Sequence, residues 1–184
     1  MTREEALNLL KKELKSENLI KHSLAVEVGM RKLARYFKED EEKWGICGLL
    51  HDIDYEKTKN APELHSKIGS QMLKELGFEK EICDAILSHN ERHQILPKSL
   101  MAKALFCLDP LTGLIVASAL VLPSKRLKDL KVENVLNRFR EKSFAKGAKR
   151  EIIQKCKEYL NLELQKFVEI VLEGMKEIAP LIGL

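Results

Sequence analysis

Aromatic residues are scarce in this chain: one tryptophan, three tyrosines and six phenylalanines make up 5% of its 184 residues. Proteins that bind single-stranded nucleic acids stack bases on aromatic side chains, and no such pattern is present, so we expect no nucleic-acid partner. No apolar run reaches the roughly 18 residues of a membrane span. The charged start MTREEALNLLKKELKSENL has no hydrophobic stretch typical of a signal peptide. The sequence therefore predicts a cytoplasmic protein without membrane contact.

Cysteine is also sparse. Cys47, Cys83, Cys107 and Cys156 lie far apart, with no CxxC pair, and each stands among aliphatic residues. This pattern favours structural thiols in a reducing compartment.

Positive charge is concentrated in one stretch. The net charge of the chain is +4, but residues 125–150 carry 10 Lys and Arg against 3 acids, a net charge of +7. Arginine and lysine bind phosphate, and Lys125, Arg126, Arg138 and Arg140 are the candidates in this stretch. The alternative is a helix face exposed to solvent.

The apolar periodicity is helical nearly everywhere, and no strand is predicted, so the fold class is all-α. Thr2 and Glu5 form a capping box at the first helix. The predicted helices cover about 2–15, 17–37, 40–51, 62–76, 79–91, 132–142, 149–160 and 162–178. The Asp109-Pro110 step lies between the fifth and the sixth of them, and we expect a kink or break there. Residues 1–122 form the predicted core, and 123–184 a basic linker and C-terminal helices packed on the same domain.

Histidine and aspartate recur at the edges of these helical patterns. His51 and Asp52 end the run WGICGLLHD, and His22 lies on a stripe with Leu19, Val26 and others spaced by three or four. The other members of the set, each placed by spacing on an apolar helix face, are His65, His89 and Asp109. Each buried aspartate needs a cation or hydrogen-bond donors, and no lysine or arginine shares these stripes. One metal centre would satisfy all six groups at once.

The set resembles a known family. The segments KHSLAVE, LLHDID, ELHSKIGSQML, AILSHNE and ALFCLDPL carry the order His, His-Asp, His, His, Asp over residues 18–115. This order is similar to that of the HD-domain superfamily of metal-dependent phosphohydrolases, in particular members that hold two metals. The resemblance implies an HD-domain-like helical core. It implies a first metal bound by His22, His51, Asp52 and Asp109, and a second bound by His65 and His89.

Asp52 is the residue that the resemblance places between the two metals, and we predict it as the catalytic residue. A carboxylate has two oxygens and can bridge, whereas an imidazole offers one nitrogen to one ion. Two close metals would activate a water for attack on phosphorus. Mixed histidine and carboxylate ligation suits Mn, Fe, Co, Ni or Zn, and the sequence does not choose among them.

One position departs from the family pattern. Many members have a lysine three residues after the aspartate of the doublet, where this chain has Tyr55; the nearest lysine is Lys57. Lys57 is therefore one candidate for binding substrate phosphate, together with Lys125 and Arg126. Arg92 and His93 are two more, although His93 could equally face solvent at a helix end.

The sequence thus predicts a metal-dependent phosphohydrolase acting on a small phosphorylated molecule, with a nucleotide as the first candidate. Two alternatives stay open: a metal- or nucleotide-binding regulatory protein without turnover, and a di-iron oxygenase on the same fold. The sequence indicates neither the substrate nor the oligomeric state.

Overall fold

Helices account for all regular structure in the computed structural model, which describes residues 1–184. The twelve α-helices are α1 Arg3–Glu13, α2 Glu17–Phe37, α3 Glu41–Leu50, α4 Tyr55–Thr58, α5 Lys67–Glu75, α6 Lys80–His89, α7 Leu100–Leu120, α8 Val132–Arg140, α9 Arg150–Ile153, α10 Cys156–Leu160, α11 Leu164–Glu177 and α12 Ala179–Ile182. Short 3₁₀ turns lie at Glu91–His93 and Leu127–Asp129. The all-α prediction is confirmed.

Local signals in the sequence set several helix ends. At the start of α1, Thr2 Oγ1 accepts a hydrogen bond from the Glu5 amide, and the Thr2 amide donates to the Glu5 carboxylate, which confirms the capping box. Asp40 caps α3 by accepting from the Lys43 amide at 3.0 Å. The helix predicted over 17–37 is α2, with the same ends.

The predicted helix over 62–76 is wrong at its start, because α5 begins only at Lys67. Residues before it form turns, and Ser66 has a left-handed backbone with φ of 69°. The Ser66 hydroxyl donates to the Leu87 carbonyl on α6 at 3.1 Å, which fixes this turn against the neighbouring helix. His65 therefore lies in a turn and not on a helix face. The predicted helix over 149–160 is likewise two short helices, α9 and α10.

At Asp109-Pro110 the sequence predicted a kink or a break, and the break is wrong: α7 runs unbroken through Pro110. A proline inside a helix costs about 3 kcal/mol. Thirteen side chains of α7 are buried, among them Leu105, Leu111 and Ile115, and each fully buried large aliphatic side chain contributes roughly 1.5–3 kcal/mol. Burial on both sides of Pro110 therefore outweighs the cost of the proline.

α7 is the central helix, and it packs against α2, α6, α8, α9 and α10. By length and composition it is the one helix apolar enough to cross a membrane, with a mean hydropathy of 1.7, but 61% of its apolar window is buried inside the protein. Its apolar character therefore serves the core. One continuous cluster of 49 buried apolar residues includes Val135, Ile152 and Phe167, so residues after 122 share this core. The boundary at 122 stays a prediction.

Candidate metal centre

Four histidines and two aspartates meet at one place in the core. His22 comes from the first half of α2, His89 ends α6, and Asp109 lies in the middle of α7. His51 and Asp52 directly follow α3, and His65 comes from the turn before α5. The six residues are therefore brought together by five separate segments, as the sequence predicted. We call them the six-residue cluster.

Asp52 lies at the centre of the six-residue cluster, and its two oxygens face different neighbours. Asp52 Oδ2 lies 3.4 Å from His51 Nε2 and 3.7 Å from His22 Nε2. Asp52 Oδ1 lies 3.2 Å from His65 Nε2 and 3.4 Å from His89 Nε2. One carboxylate thus separates two pairs of imidazoles, the arrangement that a bridging ligand requires.

Asp109 completes the side that carries His22 and His51. Its Oδ1 lies 3.0 Å from His22 Nε2 and 3.7 Å from His51 Nε2. Two groups in the cluster have ligand atoms close enough to share one ion: His22, His51 and Asp109, and also His51, Asp52 and His89. The donor set of nitrogen and carboxylate oxygen is the one that divalent transition metals prefer.

The outer ring nitrogens of the histidines are all engaged, and this orients the inner ones. His51 Nδ1 donates to the Gly48 carbonyl at 2.8 Å, and His89 Nδ1 donates to the Ile86 carbonyl at 2.6 Å. A carbonyl only accepts, so Nδ1 carries a proton in both rings, and Nε2 is the nitrogen whose lone pair can bind a proton or a metal in the cluster. His51 Nε2 is fully buried without any hydrogen-bond partner. A buried acceptor of this kind fits a metal ligand.

Asp54 orients the histidine that lies in the turn. Its carboxylate is fully buried and accepts from His65 Nδ1 at 2.8 Å and from the Gly69 amide at 2.7 Å. This pairing fixes His65 with Nε2 toward Asp52. Asp54 was not among the residues predicted for the site. The available signal was its place in the segment LLHDID, two residues after Asp52.

The pKa values reflect the concentration of charge. Burial disfavours the charged form of His51 and lowers its pKa, but the carboxylates of Asp52 and Asp109 outweigh burial and raise that pKa well above its ordinary value. Burial acts against the Asp52 carboxylate too, yet its histidine neighbours hold the pKa of Asp52 well below its usual range. For His65, burial opposes Asp52 and Asp54, which raise its pKa to about 9. The six-residue cluster thus favours bound cations, either protons or a metal in their place.

A cavity of about 380 Å³ opens beside the cluster. It is lined by His22, His89 and Asp109 of the cluster, by Gly113 of α7, and by several residues of the segment 145–152. A cavity of about 460 Å³ between α6 and the start of α7 contains none of the six residues. A cavity of about 400 Å³ on the other side of Gly113 touches the cluster only at His22. The cavity of about 380 Å³ is lined by three of the six residues, so it gives a bound molecule the most contact with the cluster.

The other predicted substrate-binding residues have different surroundings. Lys57 is ion-paired with Glu13 of α1. His93 Nε2 donates to the His65 carbonyl at 2.7 Å, so this ring holds the turn that carries His65. Arg92, Lys125 and Arg126 are exposed and do not line the cavity beside the cluster.

Of the remaining candidates in the basic stretch, Arg138 pairs with Glu141, and Arg140 donates to Asn137. Lys149 lines the cavity instead. No local pattern in the sequence distinguishes Lys149 from the nine other basic residues of the stretch 125–150.

Fold and site together define an all-α metal-binding protein. The sequence model of the HD domain matches residues 19–118, more than half of the chain, and the chain belongs to the HD-domain family. This family is one of metal-dependent phosphohydrolases, and the resemblance found in the sequence is confirmed.

Several proteins are similar in sequence to part of this chain. Ribonuclease Y of Oleidesulfovibrio alaskensis is 32% identical over 142 residues, which are 74% of this chain and 27% of that protein. Ribonuclease Y of Aster yellows witches'-broom phytoplasma is 34% identical over 98 residues, 53% of this chain and 18% of that protein. An uncharacterised protein of Methanocaldococcus jannaschii is 38% identical over 95 residues, 49% of this chain and 52% of that protein. The chain thus spans about a quarter or less of the ribonucleases and half of the archaeal relative. No solved structure matches it significantly.

Proposed function

We propose that this chain hydrolyses a phosphoric ester or anhydride of a small molecule, with a nucleotide as the first candidate, at two divalent metal ions held by the six-residue cluster. The observation that carries the proposal is the position of Asp52, whose two oxygens face separate pairs of imidazole nitrogens. Membership of the HD-domain family supports it independently.

The ligands divide into two sets on this proposal. His22, His51 and Asp109 would hold one ion, and His65 and His89 the other, with Asp52 shared between them. A metal bound there activates a water and neutralises charge on a phosphoryl group. The chain itself orients the ligands: the Gly48 and Ile86 carbonyls fix the rings of His51 and His89. Thr112 Oγ1 donates to the Asp109 carbonyl and accepts from His22 Nδ1 at 3.3 Å.

The size of the cavity supports a small substrate. About 380 Å³ lies near the lower end of the roughly 300–1,000 Å³ typical of small-molecule sites. A second candidate is a phosphodiester of RNA, which is favoured by the names of the relatives called ribonuclease Y. Both candidates share the chemistry of attack on phosphorus, and they differ in what must enter the cavity.

A substrate screen on protein supplemented with Mn or Fe tests the proposal. The panel holds nucleoside mono- and triphosphates, dinucleotides, a generic phosphomonoester and a short labelled RNA. We expect phosphate release from a nucleotide; shortening of the RNA alone would select the second candidate. Nucleotide binding without turnover would identify a regulatory protein, and O₂ consumption with an iron absorption band would identify an oxygenase. Either of these last two results would overturn the proposed hydrolysis.

Gly113 offers a test of the cavity as the substrate site. It is an exposed glycine inside α7, and a Cβ added there meets no atom within 4 Å. Because glycine destabilises a helix interior, Gly113→Ala should raise the free energy of unfolding by about 0.5–1 kcal/mol in urea denaturation.

Gly113→Leu should instead lower kcat/KM about tenfold or more, since its side chain would obstruct the position of the substrate. An unchanged kcat/KM in a folded Gly113→Leu protein would place the substrate elsewhere.

A further inference from the structure

We propose that Lys149 binds the phosphate of the substrate beside the six-residue cluster, and that Glu91 pairs with this lysine until phosphate replaces it. The inference rests on the proposed function and adds a specificity-determining residue to it. Many members of this family have a lysine for binding phosphate at the position of Tyr55. On this proposal, a lysine from the C-terminal part of the chain binds the phosphate instead.

Lys149 is the only lysine or arginine that lines the cavity of about 380 Å³, together with His22, His89 and Asp109 of the cluster. Lys21 lines the other cavity, which touches the cluster only at His22. A phosphoryl group entering this cavity toward the cluster would therefore meet one protein cation. The ammonium of a lysine forms strong charge-assisted hydrogen bonds with phosphate oxygens.

The segment that carries Lys149 is held by its neighbour Arg150. The Arg150 guanidinium donates to six backbone carbonyls, with the shortest bonds to Phe144, Ala145 and Ala148 at 2.5, 2.7 and 2.7 Å. The other three bonds reach Arg138, Phe139 and Glu141 at 3.3–3.4 Å. A guanidinium has five N–H donors against three in a lysine ammonium, so it can bind more carbonyls of this segment at once. Arg150 therefore fixes the backbone on which Lys149 stands.

Glu91 is the partner of Lys149 that a phosphate could replace. The Lys149 ammonium pairs with the Glu91 carboxylate, and Glu91 lines the same cavity. Both side chains are partly exposed, at 42% and 36%. Ion pairs exposed to this degree contribute only about 0–1 kcal/mol. A phosphate with two negative charges offers the same kind of acceptor with more charge, so it can replace the carboxylate.

The other cations named from the sequence are less suitable. Lys57 is taken by Glu13, and its α4 position lies outside the cavity lining. Lys125 and Arg126 are exposed and do not line this cavity either. Lys149 alone combines a place in the cavity, a fixed backbone and a partner that phosphate can displace.

The experiment measures binding of inorganic phosphate to the full chain loaded with Mn²⁺, by isothermal titration calorimetry, for the wild type and three variants. We expect Lys149→Ala to raise the Kd for phosphate about 10- to 100-fold, the factor that follows from losing a charged hydrogen bond. Glu91→Gln should lower the Kd about 2- to 5-fold, because it removes a competing exposed charge. Lys146→Ala, at an exposed lysine of the same loop outside the cavity lining, should leave the Kd unchanged.

The Mn content of every variant, measured by elemental analysis, should equal that of the wild type. A gain in affinity in Glu91→Gln cannot come from damaged folding, so the two variants with opposite signs separate phosphate binding from a structural role. An unchanged Kd in both would overturn the inference while leaving the proposed hydrolysis intact. A wild type that holds Mn²⁺ but neither binds phosphate nor hydrolyses any member of the substrate panel would overturn both.

Discussion

Asp52→Ala should lower kcat for phosphate release by more than about a thousandfold, a loss beyond the 10²–10³ that follows removal of a single oxyanion donor. The reason is that this carboxylate faces both pairs of imidazoles, at 3.2–3.7 Å from four Nε2 atoms. Its removal weakens both proposed metal sites together. Steady-state kinetics with the substrate found in the screen, together with elemental analysis, measures the effect, and we expect less than one equivalent of metal in the variant.

Asp84→Ala is the matched control for this substitution. Asp84 is a carboxylate on α6 that is 57% exposed and pairs only with Lys80. Its removal should change neither kcat nor metal content, since exposed i,i+4 pairs contribute a few tenths of a kcal/mol. Full activity in a folded Asp52→Ala protein would contradict the role assigned to Asp52.

Metal removal should lower the thermal stability markedly. At free metal about a thousand times above its Kd, binding to the folded state alone stabilises it by about 4 kcal/mol. For a chain of this length each kcal/mol corresponds to about 2–4 °C in Tm. We therefore expect chelation to lower Tm by roughly 8–16 °C, measured by differential scanning calorimetry with Mn or Fe present and after treatment with a chelator.

The Asp52→Ala protein provides the control for that measurement, because its Tm should respond much less to metal. Stabilisation also has a structural reason: His51 Nε2 is buried without a partner, and a bound ion would satisfy it. A wild-type protein that takes up less than about 0.3 equivalents of any transition metal, with the same Tm before and after chelation, would contradict the metal centre altogether.

Much of the fold follows from local sequence patterns. The spacing of apolar residues predicted α2 with its observed ends, and Thr2 and Glu5 form the capping box that the sequence indicated. The gathering of the six cluster residues also followed from the sequence, because buried histidines and aspartates need a shared partner. Their roles as metal ligands stay a prediction until an ion is measured.

Other features depend on contacts between distant segments. The turn that carries His65 is fixed by Asp54 and by the bond from Ser66 to α6, neither of which periodicity reveals. Pro110 stays within a helix because the surroundings of α7 are apolar on both sides, and this outweighs the local preference of proline. Lys149 lines the cavity beside the cluster because α9, which follows it directly, packs on α7. Spacing within one helix cannot predict such packing.

The hydrogen bonds of His51 and His89 to carbonyls three residues earlier bear on how the proposed metal ions would be taken up. Each bond closes the last turn of a helix with the same ring that faces Asp52. The side chains are thus positioned by helix formation itself, before any ion arrives. We expect stripped protein to stay folded and to reload quickly, with little rearrangement. Which metal occupies the six-residue cluster in the cell would then depend on the supply of each metal as much as on its affinity.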